Sequence, residues 1–265
     1  RGQVFRGHMV ETYTAVKDRL GDFLIVIAFA SESPAVLNRF QELSTMHETV
    51  APHLPLFPGD ETVSFDWLQQ HQQELQQVYD NLADDWSRDV FAASLNYKLS
   101  GKLHYLWQSE TERLKDLQSI FSWSEEETYA DLGAYNGDTI REFLQLTNNK
   151  YNRIFAAEPD RRNYKKLSAN VEASGLSDIK ILERAIWKET AELSFSDSGG
   201  RQATLLTGQR HIVQAVDIDT LLKDERATYI KMDVEGAEME ALKGGKGQIK
   251  CNKPKLFIAA YHHDA

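Results

Sequence analysis

Cysteine is nearly absent from this sequence, because Cys251 is the single one among 265 residues. One cysteine excludes an internal disulfide and any metal cage built from several cysteines. Such low usage is typical of a reducing compartment, so we expect a cytoplasmic protein. Long apolar runs are also missing, since the run at residues 24–30 is much shorter than a membrane span. No signal peptide is recognisable, and we expect no membrane partner.

Positive charge is scarce as well. The chain has 30 Lys and Arg against 40 Asp and Glu, which gives a net charge of -10. Because nucleic acids are bound by clustered Lys and Arg, the sequence predicts no nucleic-acid partner. The content of 42% hydrophobic and 26% charged residues is that of an ordinary globular protein with a real core. No persuasive metal site is present.

The first half of the chain combines helical patterns with one apolar run. Helical spacing of apolar residues predicts helices at 10–20, 34–46, 65–82 and 84–99. The near-continuous apolar run at 22–30 predicts a parallel strand that is covered on both faces. We therefore assign residues 1–110 to an N-terminal α/β and helical extension, and residues 111–265 to a second domain.

The second half alternates strands and helices. Apolar runs predict five strands, at residues 129–132, 153–159, 179–187, 229–234 and 254–261. Helices are expected between them, for example at 161–174 and 237–243. Segments 191–196 and 211–216 predict an antiparallel excursion around the Gly/Ser-rich stretch 197–208. Repeated β–α order is typical of a doubly wound, mostly parallel sheet, so the predicted fold class is α/β. Residues 124–127 are interpreted as a charged, exposed connection.

The segment Asp131-Leu-Gly-Ala-Tyr-Asn-Gly137 is expected to form the turn between the first strand of this sheet and a helix. Gly133 and Gly137 tolerate backbone angles that let a ligand lie against the turn. A dinucleotide fingerprint would place a glycine where Tyr135 stands, and Asp131 would repel a pyrophosphate. The same acid suits the cationic amino and sulfonium groups of S-adenosylmethionine (SAM), and the segment resembles motif I of the SAM methyltransferases.

Polar residues end the other strands. In open α/β sheets the ligand lies beyond the carboxyl ends of the strands, which draws attention to Glu158, Asp233 and His262. A carboxylate at Glu158 can accept both hydroxyls of a ribose, and this does not distinguish SAM from NAD. Strand alternation places Lys231 and Asp233 on one face, where each would be costly to bury alone.

Several segments together resemble one family. Those at 131–138, 157–163, 216–221, 229–244 and 254–262 are similar, in this order, to the FkbM family of SAM-dependent methyltransferases. The resemblance implies a class I methyltransferase fold, SAM as the cofactor and a hydroxyl acceptor. It departs from the family at Gly133-Ala-Tyr-Asn-Gly137, where the family more often has Gly-Ala-Asn-x-Gly.

The resemblance also implies roles for individual residues. Asp131, Gly133 and Asn136 would hold the methionine part of SAM, with Gly137 completing the turn. Glu158 would bind the ribose, and Ala185 would lie near the adenine. Asp233 would face the sulfonium and the acceptor. A hydroxyl acceptor needs a base within hydrogen-bond reach, and the candidates are Asp233, Glu235 and His262.

The predicted function is O-methylation of a small-molecule or saccharide acceptor. The alternatives are an NAD-dependent oxidoreductase and a non-catalytic SAM-binding module. The chain begins at Arg1 and ends at Ala265 directly after an apolar run, which we interpret as a piece of a longer protein with a C-terminally truncated sheet. The sequence leaves homo-oligomer formation open.

Overall fold

The computed structural model describes residues 3–31, 33–53, 62–196 and 210–260. The chain divides into two compact units, one up to Thr111 and one from Glu112 onward. In the described ranges, no helix has the length and hydropathy needed to cross a membrane.

The N-terminal unit is mainly helical. Its helices are α1 (Tyr13–Leu20), α2 (Pro34–Met46), α3 (Phe65–Gln70), α4 (Gln72–Asn81), α5 (Asp85–Ser100) and α6 (His104–Gln108). Its strands are two residues long and form two pairs, β1 (Val4–Phe5) with β2 (His8–Met9) and β3 (Ile25–Val26) with β4 (Thr49–Val50).

Local residue types mark several helix ends in this unit. Pro34 stands at the first position of α2, Asp84 caps α5 by accepting the Ser87 N–H, and Gly101 ends α5 in the left-handed conformation. The single helix predicted at 65–82 is divided at His71. The His71 ring lies 4.2 Å from the Trp67 ring, and its Nδ1 lies 2.9 Å from the Trp67 carbonyl oxygen, which also accepts the His71 backbone N–H at 3.0 Å.

The strand predicted at residues 22–30 is wrong in length and burial. Only Ile25–Val26 forms a strand, and it pairs in parallel with one other two-residue strand. Leu24, Val26 and Phe29 are exposed. The apolar run was interpreted as a strand covered on both faces, but only one face is covered, because Phe23, Ile25 and Ile27 are half-buried while Leu24 and Val26 between them are exposed.

The second unit carries the α/β sheet. Its elements are α7 (Arg113–Ile120), β5 (Thr128–Leu132), α8 (Asp138–Leu146), β6 (Arg153–Ala157), α9 (Arg161–Ser174), β7 (Ile179–Leu182), β8 (Ala185–Ile186), β9 (Ala191–Ser196), β10 (Arg210–Val216), α10 (Ile218–Leu221), β11 (Tyr229–Met232), α11 (Glu238–Lys243), α12 (Lys246–Asn252) and β12 (Lys255–Ile258).

The main sheet has five strands in the order β12-β11-β5-β6-β7, and every neighbouring pair is parallel. The predicted α/β class and mostly parallel sheet are therefore confirmed. A second sheet has the order β8-β10-β9, with β9 and β10 antiparallel as predicted. The Gly/Ser-rich stretch between them, residues 197–208, lies outside the described residues.

One predicted strand is divided between the two sheets. Residues 179–187 were expected to form a single strand, but β7 ends at Leu182 and β8 pairs with β10 instead. Four described helices, α6, α7, α10 and α12, were not predicted from the sequence. Of these, α12 follows Gly244 and Gly245, which read as a stop. Its first backbone N–H groups, at Gly247 and Gln248, donate to the distant carboxylate of Asp219, so no local capping signal exists.

The two faces of the main sheet each carry a hydrophobic core. Ile230 and Met232 belong to one cluster and Tyr229 to the other, which confirms the predicted alternation along β11. The second cluster is rich in stacked rings. The Tyr129 ring lies 4.8 Å from that of Tyr229 and 4.5 Å from that of Phe143. This cluster fixes α8 against the sheet.

The amino edge of the sheet contains a buried carboxylate. Glu127 was expected in an exposed connection, but it is buried and accepts a 2.6 Å hydrogen bond from Lys255 Nζ. The Thr228 hydroxyl and the Ser124 backbone N–H donate to it as well. Burial raises the pKa of Glu127, but these donors and the Lys255 charge outweigh it and hold the pKa below its usual value.

We expect Glu127→Gln to lower the free energy of unfolding by about 3 kcal/mol at neutral pH, because Lys255 loses its buried counter-ion. The folded pKa of Glu127 is depressed, so its contribution is present above the unfolded value of about 4.3 and is lost as the pH falls through the folded value. The deficit of the variant should therefore shrink in acid. Chemical denaturation across this pH range measures it.

The matched control is Glu126→Gln, which removes the neighbouring exposed carboxylate. It should cost less than about 0.5 kcal/mol. An equal loss in both variants, or a deficit of Glu127→Gln that does not change with pH, would contradict the assignment.

Candidate functional site

Three acidic side chains follow one another at the carboxyl edge of the central strands β11, β5 and β6. Asp131 lies in β5, Glu158 directly follows β6, and Asp233 directly follows β11. The strand ends are tied together, because Asp233 N–H donates to Leu132 O at 2.9 Å. Parallel pairing thus brings residues about 100 positions apart to one edge, where open α/β sheets bind their ligands.

The turn from β5 to α8 has an unusual backbone. Gly133, Tyr135 and Gly137 all take positive φ, at 83°, 47° and 85°. The N–H groups of Gly133 and Ala134 both donate to Ala157 O, at 2.9 and 3.0 Å. Tyr135 holds a left-handed conformation that disfavours side chains, so its strain is held by the surrounding contacts.

Only glycine fits at position 133, because both the positive φ and the short distance to the neighbouring loop exclude a side chain. A Cβ at this position would lie 1.8 Å from the backbone oxygen of Asp233. The two loops therefore approach each other more closely than any side chain allows. At Gly137 the constraint is milder, because a Cβ would meet a Leu167 methyl at 3.1 Å.

Asp131 is fully buried. Its Oδ2 accepts a 2.5 Å hydrogen bond from the Thr139 hydroxyl in the first turn of α8. Its Oδ1 lies 3.4 Å from Lys231 Nζ. Burial raises the pKa of Asp131, and the Lys231 charge opposes this rise.

Lys231 connects the charge to the turn. Its Nζ donates a 2.7 Å hydrogen bond to Gly133 O, and the side chain is itself buried. The sequence indicated that Lys231 would be costly to bury alone, but it did not identify the groups that Lys231 contacts. Only the register of β11 beside β5, in which Lys231 faces Asp131, supplies them.

Glu158 is buried at the opposite side of the turn. One carboxylate oxygen accepts the Tyr135 N–H at 2.8 Å and the other accepts the Asp160 N–H at 2.9 Å. Burial raises the pKa of Glu158 to about 7, against the effect of these two hydrogen bonds. Its ionisation is thus poised near neutral pH.

The turn after β11 brings Asp233 and Glu235 toward this edge. Both are half-buried, and Glu235 and Gly236 take positive φ, at 55° and 96°. Glu238 stabilises this turn, because its Oε1 accepts a hydrogen bond from the Val234 N–H at 2.9 Å. This agrees with the preference of acids for helix starts.

The remaining predicted site residues are more scattered. Asn136 belongs to the turn, and its Oδ1 is a buried oxygen with no hydrogen-bond partner in the part of the chain that the structure describes. Ala185 is buried in β8, in the second sheet, where it pairs with Ala215. His262 lies outside the described residues.

A cavity of about 390 Å³ lies elsewhere, at the amino ends of β6 and β7. Arg153, Lys180 and Lys223 line it together with an equal number of acids. Arg153 is already paired with Glu225. Since ligands of open α/β sheets lie at the carboxyl ends, this cavity is not the candidate cofactor site.

The parallel sheet and the acid-lined glycine turn are those of the SAM-dependent methyltransferase class. A family model described as the methyltransferase FkbM domain matches residues 131–265, half of the chain. The chain belongs to the FkbM methyltransferase family, and its cofactor is SAM.

A solved methyltransferase FkbM from Methylobacillus flagellatus KT is 22% identical, with a TM-score of 0.74, over 99% of this chain and 70% of that one. It shares the fold. A SAM-dependent methyltransferase from Aquifex aeolicus is 14% identical, with a TM-score of 0.32, over 55% of this chain and 62% of that one. An rRNA methylase from Streptococcus thermophilus is 10% identical, with a TM-score of 0.34, over 57% and 70%. No curated protein has a significant sequence match.

The residues at the carboxyl edge fit SAM. A buried acid and an unpartnered amide oxygen, Asp131 Oδ1 and Asn136 Oδ1, are acceptors that suit a cationic amino acid group. Gly133 and Gly137 present bare backbone beside them. Glu158 retains lone pairs on both oxygens for hydroxyl donors.

We expect Gly133→Ala to disrupt this site, because its new methyl group would overlap the Asp233 carbonyl. The free energy of unfolding should fall by more than about 3 kcal/mol, and SAM affinity should be lost. The control is Gly175→Ala, which has a similar φ of 63° but nothing within 4 Å of the added Cβ. It should cost about 1 kcal/mol and bind SAM normally. Equal losses in both would show that φ alone matters. Thermal denaturation and isothermal titration measure the two effects.

Proposed function

We propose that the second unit binds SAM at the carboxyl edge of β11, β5 and β6 and methylates a hydroxyl oxygen of a small-molecule or saccharide acceptor. One observation carries this proposal: Asp131, Glu158 and Asp233 lie on adjacent strand ends around a turn whose glycine contacts the Asp233 backbone. Such a rim favours a cationic ligand over an anionic one.

Individual residues would hold the parts of the cofactor. Asp131 and Asn136 would accept hydrogen bonds from the amino group of the methionine part, with Gly133 and Gly137 leaving room against the backbone. Glu158 would accept the ribose hydroxyls. Ala185 would lie near the adenine, and this role is supported by the family resemblance alone.

Bound SAM supplies a methyl group that its sulfonium already activates. The protein then needs to align the acceptor and remove its hydroxyl proton. Asp233 is the first candidate for this base, because it is half-buried at the rim and its backbone is fixed to Leu132 and packed on Gly133. Glu235, in a left-handed turn two residues on, is the second. His262 stays a candidate from the sequence.

Family membership favours methyl transfer over the NAD-dependent alternative. The site supports the same choice, because Tyr135 occupies the position of close pyrophosphate approach and Asp131 is a buried acid beside it. A non-catalytic module would bind SAM at the same site but transfer no methyl group, so a measurement of turnover distinguishes this alternative. The net charge of -10 argues against a nucleic-acid acceptor, and the single cysteine supports a cytoplasmic location.

Because the pKa of Glu158 is about 7, its carboxylate is half-protonated at neutral pH. Raising the pH ionises it, and an ionised carboxylate accepts stronger hydrogen bonds from a ribose. We expect affinity for S-adenosylhomocysteine to rise about tenfold between about pH 6 and pH 8, and this rise to vanish in Glu158→Gln. Isothermal titration measures this affinity, and a parallel titration with NAD tests the alternative cofactor.

The exposed Glu172 on α9 supplies the control, since Glu172→Gln should keep the wild-type pH profile. A wild-type affinity that is flat with pH would remove Glu158 from the ribose site. Binding of NAD without SAM would refute the cofactor assignment itself.

We expect Asp233→Asn to lower kcat at least about 100-fold, because the amide cannot take the hydroxyl proton, while the affinity for S-adenosylhomocysteine, which lacks the sulfonium charge, changes less than about threefold. A mass-spectrometric screen of hydroxyl-bearing small molecules and saccharides first identifies the acceptor. Asp224→Asn, at the amino edge of the sheet, is the matched control and should keep full activity. Unchanged turnover in Asp233→Asn would transfer the role to Glu235 or His262, and methylation at nitrogen or carbon would refute the O-methyl proposal.

A further inference from the structure

The N-terminal unit contains a cavity of about 530 Å³ that methyl transfer, as proposed, does not use. Its lining runs from Gln41 at the middle of α2 to Trp107 in α6, so it belongs to this unit alone. The volume lies within the range of small-ligand sites. The chemistry of its wall indicates what kind of ligand fits.

Almost every side chain in the wall carries a polar group. Gln41, Ser44 and Thr45 line one side from α2. The hydroxyl hydrogens of Ser44 and Thr45 are donated to the carbonyls of Gln41 and Glu42, at 2.8 and 2.7 Å. Their oxygens therefore keep lone pairs as acceptors, while the Gln41 amide can both donate and accept. A ligand with many hydroxyl groups can match this mixture.

The charges in the wall cancel. Lys102 Nζ lies 3.4 Å from Glu48 Oε1, so the two lining charges form a pair. Neither a phosphate nor an ammonium ligand would find an uncompensated counter-charge in this pair. The wall therefore favours a neutral ligand.

One side of the cavity is rigid. His47 lines it and is buried, with its Nε2 3.0 Å from the Tyr13 hydroxyl and its ring stacked 4.2 Å from that of Phe23. Its Nδ1 lies 3.4 Å from Asp22 Oδ1. A wall with fixed side chains loses little conformational entropy when a ligand binds.

Trp107 also lines the cavity and is half-buried, so its indole adds aromatic carbon surface beside the polar groups. A sugar ring has the same dual character, with apolar C–H faces and a rim of hydroxyls. We propose that this cavity is a binding site for a neutral saccharide. This proposal goes beyond the proposed function, because it assigns a ligand to the N-terminal unit.

Saccharide binding is tested on the full chain with free glucose, galactose, mannose, maltose and lactose as probes. Saturation-transfer NMR detects contact, and isothermal titration gives affinity. We expect at least one neutral sugar to bind saturably and Trp107→Ala to weaken it at least about tenfold. Trp86→Ala is the matched control, because Trp86 is an exposed tryptophan of α5 outside the cavity and its loss should leave sugar affinity unchanged.

Gln41→Ala and Thr45→Ala provide a second readout that does not depend on the half-buried Trp107. Both residues are exposed on α2, so the fold should survive, and each should weaken sugar binding at least about threefold. Glucose 6-phosphate and glucosamine serve as charged probes and should bind no better than glucose.

Absence of binding by all five sugars would overturn the proposal, and so would equal sugar affinity in the wild type, Trp107→Ala and Gln41→Ala. Preference for a charged probe would overturn the neutral-ligand assignment. SAM affinity is measured on the same samples and should be unchanged in all cavity variants. Failure of the saccharide site is therefore distinguishable from failure of the cofactor site.

Discussion

The contact on which the candidate site depends is the one made by the Lys231 ammonium group. It lies 3.4 Å from the carboxylate of Asp131 and donates to the carbonyl of Gly133. A fully buried carboxylate without a nearby cation would cost several kcal/mol and would be neutralised by a proton. One lysine thus offsets the burial of the acid and fixes the first residue of the turn. The position of Gly133 in turn sets its approach to the Asp233 backbone, so charge and shape in this site are coupled.

The sheet makes this coupling available. Parallel pairing of β11 with β5 places Lys231 beside Asp131, and pairing of β5 with β6 brings Ala157 to accept the N–H groups that open the turn. Two residues before Asp131 and Lys231, the stacked rings of Tyr129 and Tyr229 join the same two strands. A shift of one residue in this register would reverse every side chain and remove the site.

The sequence predicted most of this arrangement because its signals are local. Apolar strands, a glycine turn and acids at strand ends are visible within short segments, as at 129–137. Features that depend on distant partners were missed. The helix α12 is capped by Asp219 from another segment, β8 leaves the main sheet to pair with β10, and Glu127 is buried because Lys255 and Thr228 reach it. At residues 22–30 the apolar run predicted burial on both faces, whereas the described neighbours cover only alternate side chains, as the stacking of Phe23 on His47 shows.

The charge balance at the carboxyl edge also explains why one lysine does not make the site attractive to anions. Lys231 is already engaged by Asp131 and by a carbonyl, whereas Glu158 and Asp233 stand at the neighbouring strand ends. A cationic ligand meets an excess of acids there, and a pyrophosphate meets repulsion. Glu158 moderates this field, because burial raises its pKa to about 7 and leaves it only partly charged at neutral pH. Hydrogen bonds from the ribose hydroxyls of bound SAM would stabilise the ionised form of Glu158. The carboxylates at this edge would therefore carry the most negative charge when SAM is bound.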